Sequence, residues 1–347
     1  MAAAWALSPE HSLLLGILRG EDPSRLRAAA TGALDWDRFS SLVLSHGVAP
    51  LVYSQVKAAG LASSIPATVE NRCKLALYKA GLRNTAVREH LGSLTAALRA
   101  TPVAIFVKGA ILAWTVYPDP ALRRMTDIDV VSLCSHRERL RRMLAEHSFV
   151  LEETHRRFGI PVDDYHHAET GIRLDVGFLP DRPFASVWSR TMTVETAGLG
   201  LPTLNWEDHL VYLCVHALGH MLMSGGISLL WVCDIDRLLR SRQSRPGWDW
   251  SRVEASAAEF GLRNVVYLML TLTGSLLRTG PEIEPYRITR WRQRALARSV
   301  ADARLGLFGG PGCTMASSSR RLFNLACLVD YWAVIRKLGF RSFYHAW

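Results

Sequence analysis

Lysine is scarce in this chain: five residues, at 57, 74, 79, 108 and 337, against 36 arginines. The net charge of +10 therefore rests almost wholly on arginine, a bias that a GC-rich genome produces without a functional cause. Cysteine is sparse as well. Six residues (73, 134, 214, 233, 313, 327) lie scattered with no CxxC, which excludes a disulfide framework and a Cys-rich zinc module and predicts a reducing compartment. Long hydrophobic runs are missing: Val265–Leu277 is too short to span a bilayer, and Leu322–Phe340 carries Asp330, Arg336 and Lys337. The opening MAAAWALSPEH has no basic stretch and meets Pro9 and Glu10 early, so no secretory leader is expected. These absences predict a soluble, cytoplasmic protein without a membrane partner. What is present is apolar substance, 49% hydrophobic against 21% charged, which excludes a disordered, collagenous or low-complexity chain. At 347 residues the length prior is about two domains, with room for three.

Three stretches differ in pattern. Residues 1–100 read as helical: Ser8-Pro9-Glu10 opens one helix, and Asp35-Trp36-Asp37 opens another that stops near Gly47 and Pro50. Pro66 then begins a long helix with Leu75, Leu77, Tyr78, Leu82, Val87, Leu91, Leu94 and Leu98 at helical steps, whose expected job is packing. Residues 101–204 change to strand and helix in alternation, an α/β unit. Strands are expected at 103–107, 127–133, 149–154, 165–168 and 172–178, with helices at 110–117 and 137–145. Residues 205–347 return to helix, with Asn205 as a cap, runs at 206–220, 227–239 and 250–277, and breaks at 224–226, 241–247 and 309–319. Residues 287–347 hold eleven bases and two acids, which suits either a solvated helix face or a phosphate-rich or acidic partner.

The sharpest chemical signal is Asp127-Ile128-Asp129. On a strand, residues i and i+2 share a face, so both carboxylates point one way. Asp175 sits in a second alternating segment, and if the two strands are neighbours three carboxylates converge. Two such anions about 5 Å apart repel by ~3 kcal/mol at an effective dielectric of about 20. A hard divalent cation on oxygen ligands offsets that repulsion. Paired ions of this kind serve phosphoryl and nucleotidyl transfer. The plainer alternative is a solvated strand end, or carboxylates bound by Arg123 and Arg124. A second signal is Lys108-Gly109 between an apolar strand and a helix, a turn that presents backbone N–H groups to phosphate or is simply a connection. His216 and His220, four residues apart, suit a metal or acceptor site, a lid over the cleft, or a hydrogen-bonded structural pair; Asp234 lies downstream. Trp231 suits base stacking or the core, and His166-His167 beside Asp163-Asp164 suits an acceptor wall or an exposed polar strand.

Taken together, the block Lys108-Gly109, YPDPALRRMTDID and the later Asp175 resembles the uncharacterised nucleotidyltransferase family of the DNA polymerase β nucleotidyltransferase superfamily. The resemblance runs over roughly residues 35–280, through WDRFSSLVLSHGVAPLVYSQV and LRNTAVREHL upstream and NWEDHLVYLCVHALGH, LLWVCDIDRLL and WDWSRVEASAAEFGL downstream. It implies an α+β fold: a small mixed-sheet nucleotidyltransferase core flanked by N-terminal and C-terminal helical regions. It also implies an NTP donor, with ATP expected, and Mg²⁺ or Mn²⁺. Asp127 and Asp129 become metal ligands and Asp175 the third carboxylate; Lys108, Gly109, Arg123 and Arg124 become nucleotide-binding. Where the superfamily usually has Gly-Ser this chain has Gly109-Ala110, so Lys108 with Arg123 or Arg124 would replace the serine hydroxyl. His216 and Asp234 are the candidates for an acceptor site or lid. The function expected is transfer of a nucleoside monophosphate to a hydroxyl or phosphate, on a small molecule or protein in preference to RNA. The alternatives are a non-catalytic nucleotide- or partner-binding protein on the same fold, and an RNA-directed transferase; basic residues interleaved with aromatics, which base stacking needs, are missing.

Overall fold

The structure, a computed structural model, describes residues 7–278 apart from positions 158, 225, 226, 243, 244 and 246. The basic stretch 287–347, the break at 309–319, Cys313 and Cys327 lie outside the described residues. Five helices come first: α1 (Pro9–Arg19), α2 (Pro23–Ala30), α3 (Trp36–Ser45), α4 (Ala49–Ala58) and α5 (Ala67–Ala100). Their starts follow from local chemistry. Asp22 and Asp35 accept hydrogen bonds from the backbone of Ser24 and Arg38, and Pro9, Pro23 and Pro50 occupy first turns, where no backbone donor is needed. Pro50 thus opens α4 rather than closing the helix before it. Ser8 stands at the head of α1, but its hydroxyl donates to Glu10 and caps nothing.

At 34 residues α5 is about 51 Å long. It buries Val69 and Cys73 in one core and Val87, Leu91, Leu94 and Leu98 in another. Leu75, Tyr78 and Leu82, which fit the same apolar period, face solvent instead, 53%, 59% and 76% exposed. At 100° per residue these three form a second apolar stripe, and neighbours in space decide which stripe is buried.

Seven strands follow in one mixed sheet: β1 (Ala104–Phe106), β2 (Ile128–Leu133), β3 (Phe149–Arg157), β4 (Ile160–His167), β5 (Arg173–Leu179), β6 (Met192–Thr196) and β7 (Leu199–Thr203), in the spatial order β3-β4-β5-β2-β1-β7-β6. The pairs β2/β5 and β1/β7 are parallel and the rest antiparallel. Between strands lie α6 (Gly109–Thr115), α7 (Arg137–Glu146) and α8 (Asp181–Ser189). The α8–β6–β7 segment has no counterpart in the sequence reading. β6 is a five-residue edge strand with no fully buried position, so its alternation of Met192 and Val194 with Thr193 and Glu195 is too short and weakly apolar to mark it. Four helices close the described chain: α9 (Trp206–Ser224), α10 (Leu229–Ser241), α11 (Trp250–Glu259) and α12 (Arg263–Leu277). Asn205 caps the first, its Oδ1 accepting from Asp208 N at 2.7 Å. The single run expected over 250–277 breaks at Gly261, whose φ of 69° is the left-handed region that glycine tolerates.

One core joins α1–α4 and the start of α5 with α9–α12. A second packs α5, α6 and α7 on one face of the sheet through Ile128, Val130, Leu174 and Val176. A small third cluster, Ile105, Val107, Val131 and Leu204, covers part of the opposite face. Residues alternating with Ile128, Val130, Leu174 and Val176 are thereby turned to that opposite face.

Candidate active site

Because Ile128 and Val130 are committed to the core, Asp129 projects from the other face of β2, and Asp127 precedes the strand two residues earlier. β5 runs parallel beside it in a register that places Asp175 directly next to Asp129. Asp127, Asp129 and Asp175 each bring a carboxylate oxygen within 4.8 Å of the others. The row continues outward: Asp164 on β4 stands opposite Asp175, and Glu153 on β3 opposite Asp164. Arg157 bridges two of them, its Nη1 donating to Asp175 Oδ2 at 3.2 Å and its Nη2 lying 4.0 Å from Asp164. The sequence does not point to Arg157, and it offers Asp164 only together with Asp163, because PVDDYHH does not show which of the two aspartates shares a face with Asp175. The register decides it. Asp163 turns to the opposite face, fully buried, where Arg137, Arg141 and Thr154 hold its carboxyl down to about 2 despite burial. An exposed polar strand is therefore not what 163–164 forms.

Lys108 lies at the turn between β1 and α6, with φ of 52° and ψ of −126°. That conformation costs a non-glycine residue about 1–3 kcal/mol and is held only by surrounding contacts. Its backbone N–H donates to His209 Nε2 at 3.2 Å, and Val107 N donates to Asp129 O at 3.0 Å. The ammonium is ion-paired to Asp129 Oδ1 and stands 3.5 Å from His216 Nδ1. Lys108 is 8% exposed, so it is part of the acidic site's wall and does not stand at an open mouth. Gly109 is required by close approach: a Cβ there would sit 2.5 Å from Arg123 Nη1 and 2.9 Å from Met125 Cγ.

The charges are under-compensated. Burial pushes the Asp129 carboxyl up to about 7, and Asp127 and Asp175 add to it while Lys108 opposes. Asp175 is raised by burial and by the nearby Asp127 and Asp164, with Arg157 opposing. Burial works against the Lys108 ammonium, but its neighbours, Asp129 first and Tyr212 and Asp127 with it, together outweigh burial and hold Lys108 above its ordinary range. Asp175 Oδ1 is buried with no hydrogen-bond partner. An orphaned carboxylate oxygen, two raised carboxyls and an all-oxygen donor set are the features that a hard divalent cation satisfies, so these residues fit one.

The remaining sequence candidates separate. Arg123 lies against the Gly109 turn, and its guanidinium grips Asp234 through Nε at 3.2 Å and Nη2 at 2.7 Å, while Tyr117 donates to the same carboxylate at 2.8 Å. Asp234 is 1% exposed and, through Arg123, holds the loop leading to Asp127. Arg124 is exposed and lines a different cavity, beside α5. His209, Tyr212, His216 and His220 share one face of α9, at three- and four-residue steps, over the Lys108 turn. Burial, reinforced by Lys108, holds His216 well below its usual range and His220 down to about 4, so both are neutral. Trp231 packs edge-on to His216, with ring centroids 5.1 Å apart, and tilted against His220 at 4.5 Å. His166 pairs with Glu152, and His167 packs on His90 and Phe149; neither reaches the carboxylate row.

A mixed sheet that gathers carboxylates on adjacent parallel strands beside a lysine-glycine turn is the framework of an enzyme that transfers nucleotidyl groups. Residues 32–278 match the family described as "Uncharacterised nucleotidyltransferase", and the chain belongs to that family. The matched span holds the whole sheet and α3–α12. No curated protein matches the chain. Among solved structures, an antigenic nucleotidyltransferase-like protein from Paracoccidioides brasiliensis shows a loose similarity: 18% identity and a TM-score of 0.34, covering 55% of this chain and 91% of that one. Among the described residues no helix is long and apolar enough to cross a membrane.

Proposed function

We propose that the enzyme moves a nucleoside monophosphate from an NTP, with ATP as the expected donor, to a hydroxyl or phosphate oxygen of a small molecule or protein. The observation that carries this reading is the register that sets Asp129 beside Asp175, with Asp127 completing a three-carboxylate cluster. Asp127, Asp129 and Asp175 would hold Mg²⁺ or Mn²⁺, which supplies Lewis-acid neutralisation of the triphosphate when bound.

The chain's own residues account for the rest. Asp175, raised by burial and neighbouring anions, is suited to receive the proton of the acceptor oxygen. Arg157 keeps that carboxylate oriented through its 3.2 Å hydrogen bond. Lys108 supplies a fixed positive charge at the strand–helix turn, positioned before the reaction rather than recruited during it. The neutral His216 and His220 with Trp231 form a half-buried wall over that turn, which limits water at the reaction centre. As the acceptor oxygen bonds to the α-phosphorus, the bond from that phosphorus to the β-phosphate oxygen breaks and pyrophosphate leaves.

The test is pyrophosphate release from each NTP with Mg²⁺ or Mn²⁺ and an extract as acceptor source, followed by mass spectrometry for the added nucleotide. Asp127→Asn and Asp129→Asn should abolish release with the fold intact. Turnover near the parent rate in both variants overturns the reading; tight NTP binding without release in the parent protein would leave a nucleotide-binding protein.

A further inference from the structure

A cavity of about 320 Å³ opens between α5 and the α3–α4 junction and reaches the segment just before Asp127. Its walls are apolar, with Pro50, Ala76 and Met125 among them, yet three cations line it: Lys79, Arg83 and Arg124. No carboxylate is in the lining, and among the described residues none of the three cations has a carboxylate partner. Arg83 anchors one side by donating from Nη2 to the Thr126 carbonyl, while its Nε is buried and meets no acceptor.

We infer that this cavity binds an organic phosphate monoester and forms the acceptor side of the enzyme; that role, though not the binding, rests on the transfer reaction proposed above. A dianionic headgroup matches three cations better than a single carboxylate does, and charge-assisted bonds from arginine suit phosphate oxygens. The apolar walls fix the other half of the ligand. Leu75 and Leu82, four residues before and three after Lys79 on α5, sit exposed on either side of it and offer a surface to a hydrophobic group leaving the cavity. Position ties the cavity to the reaction centre. Only Met125 and Thr126 separate Arg124 from Asp127, so their Cα atoms lie within about 11 Å. Met125 also forms the contact that Gly109 must leave room for. Arg124, a nucleotide-binding candidate in the sequence, thereby serves the acceptor.

The test is calorimetric titration of the full chain with hexyl phosphate, hexanol and inorganic phosphate, and separately with ATP and Mg²⁺. Hexyl phosphate should bind saturably, tighter than either half alone, and weaken as salt rises. Lys79→Met with Arg124→Met should weaken it at least tenfold. These two side chains make no hydrogen bond among the described residues, and a thermal melt checks that the fold is kept. Affinity for hexyl phosphate unchanged in this double variant, absent in the parent, or no better than for inorganic phosphate overturns the proposal. Displacement of hexyl phosphate by ATP also overturns it, because the cavity would then belong to the donor. Failure of ATP to bind while hexyl phosphate does so refutes the transfer reading and leaves the cavity's ligand standing.

Discussion

Removal of the Asp234 carboxylate is the most direct probe of how the site is held. Asp234 is 1% exposed and Arg123 7%, and the two share a two-point contact of 3.2 and 2.7 Å that Tyr117 joins at 2.8 Å. Asp234→Ala leaves a guanidinium buried without its counter-charge and a phenol without its acceptor. Breaking one partner of such a buried pair costs about 3–5 kcal/mol. For a domain of this size each kcal/mol lowers the melting midpoint by about 2–4 °C, so a drop on the order of 10 °C is expected. The assay is thermal and urea unfolding of the parent, Asp234→Ala, Arg123→Met and the apolar double variant Arg123→Met with Asp234→Leu. The double variant should recover much of the loss, because no unpaired charge remains. An unfolding free energy for Asp234→Ala within about 1 kcal/mol of the parent would refute the anchoring role and return Asp234 to the substrate-contacting candidates.

Gly109→Ala should destabilise by about 1–3 kcal/mol in the same assay, since its methyl would press on an Arg123 side chain that Asp234 does not let move. The metal-free protein should lose stability as pH rises from about 4 to about 7: Asp129 titrates near 7 when folded but near 4 when unfolded, so the folded state binds the extra proton in that window. Asp129→Asn should flatten that slope, and an unchanged slope would place the raised carboxyl elsewhere. Manganese affinity should rise over the same interval, with proton release measured by titration in buffers of different ionisation enthalpy. Asp163→Ala should cost about 3–5 kcal/mol by freeing Arg137 and Arg141, without altering manganese affinity, because it faces away from the carboxylate row.

Several features were legible before any coordinates. The alternation around Ile128 and around Leu174 is enough to set Asp127, Asp129 and Asp175 on polar faces, because side chains on a strand alternate whatever lies around them. The capping residues Asp35 and Asn205 marked their helices for an equally local reason. Burial is not local. Leu75, Tyr78 and Leu82 carry the same helical period as the buried residues of α5, and only the arrival of other helices on one side distinguishes the two stripes.

The amino-acid order alone thus determined the strand–helix alternation of residues 101–178, the three acidic positions and the glycine turn, since each follows from backbone geometry within a few residues. Tertiary structure decided which arginine serves which acid. Arg123 and Arg124 are adjacent in the chain, yet one is sealed against Asp234 and the other faces a cavity on α5, while Arg157, far along the chain, arrives beside Asp175. Such pairings depend on strand register and helix packing across long sequence separations, and no periodicity in the chain encodes them.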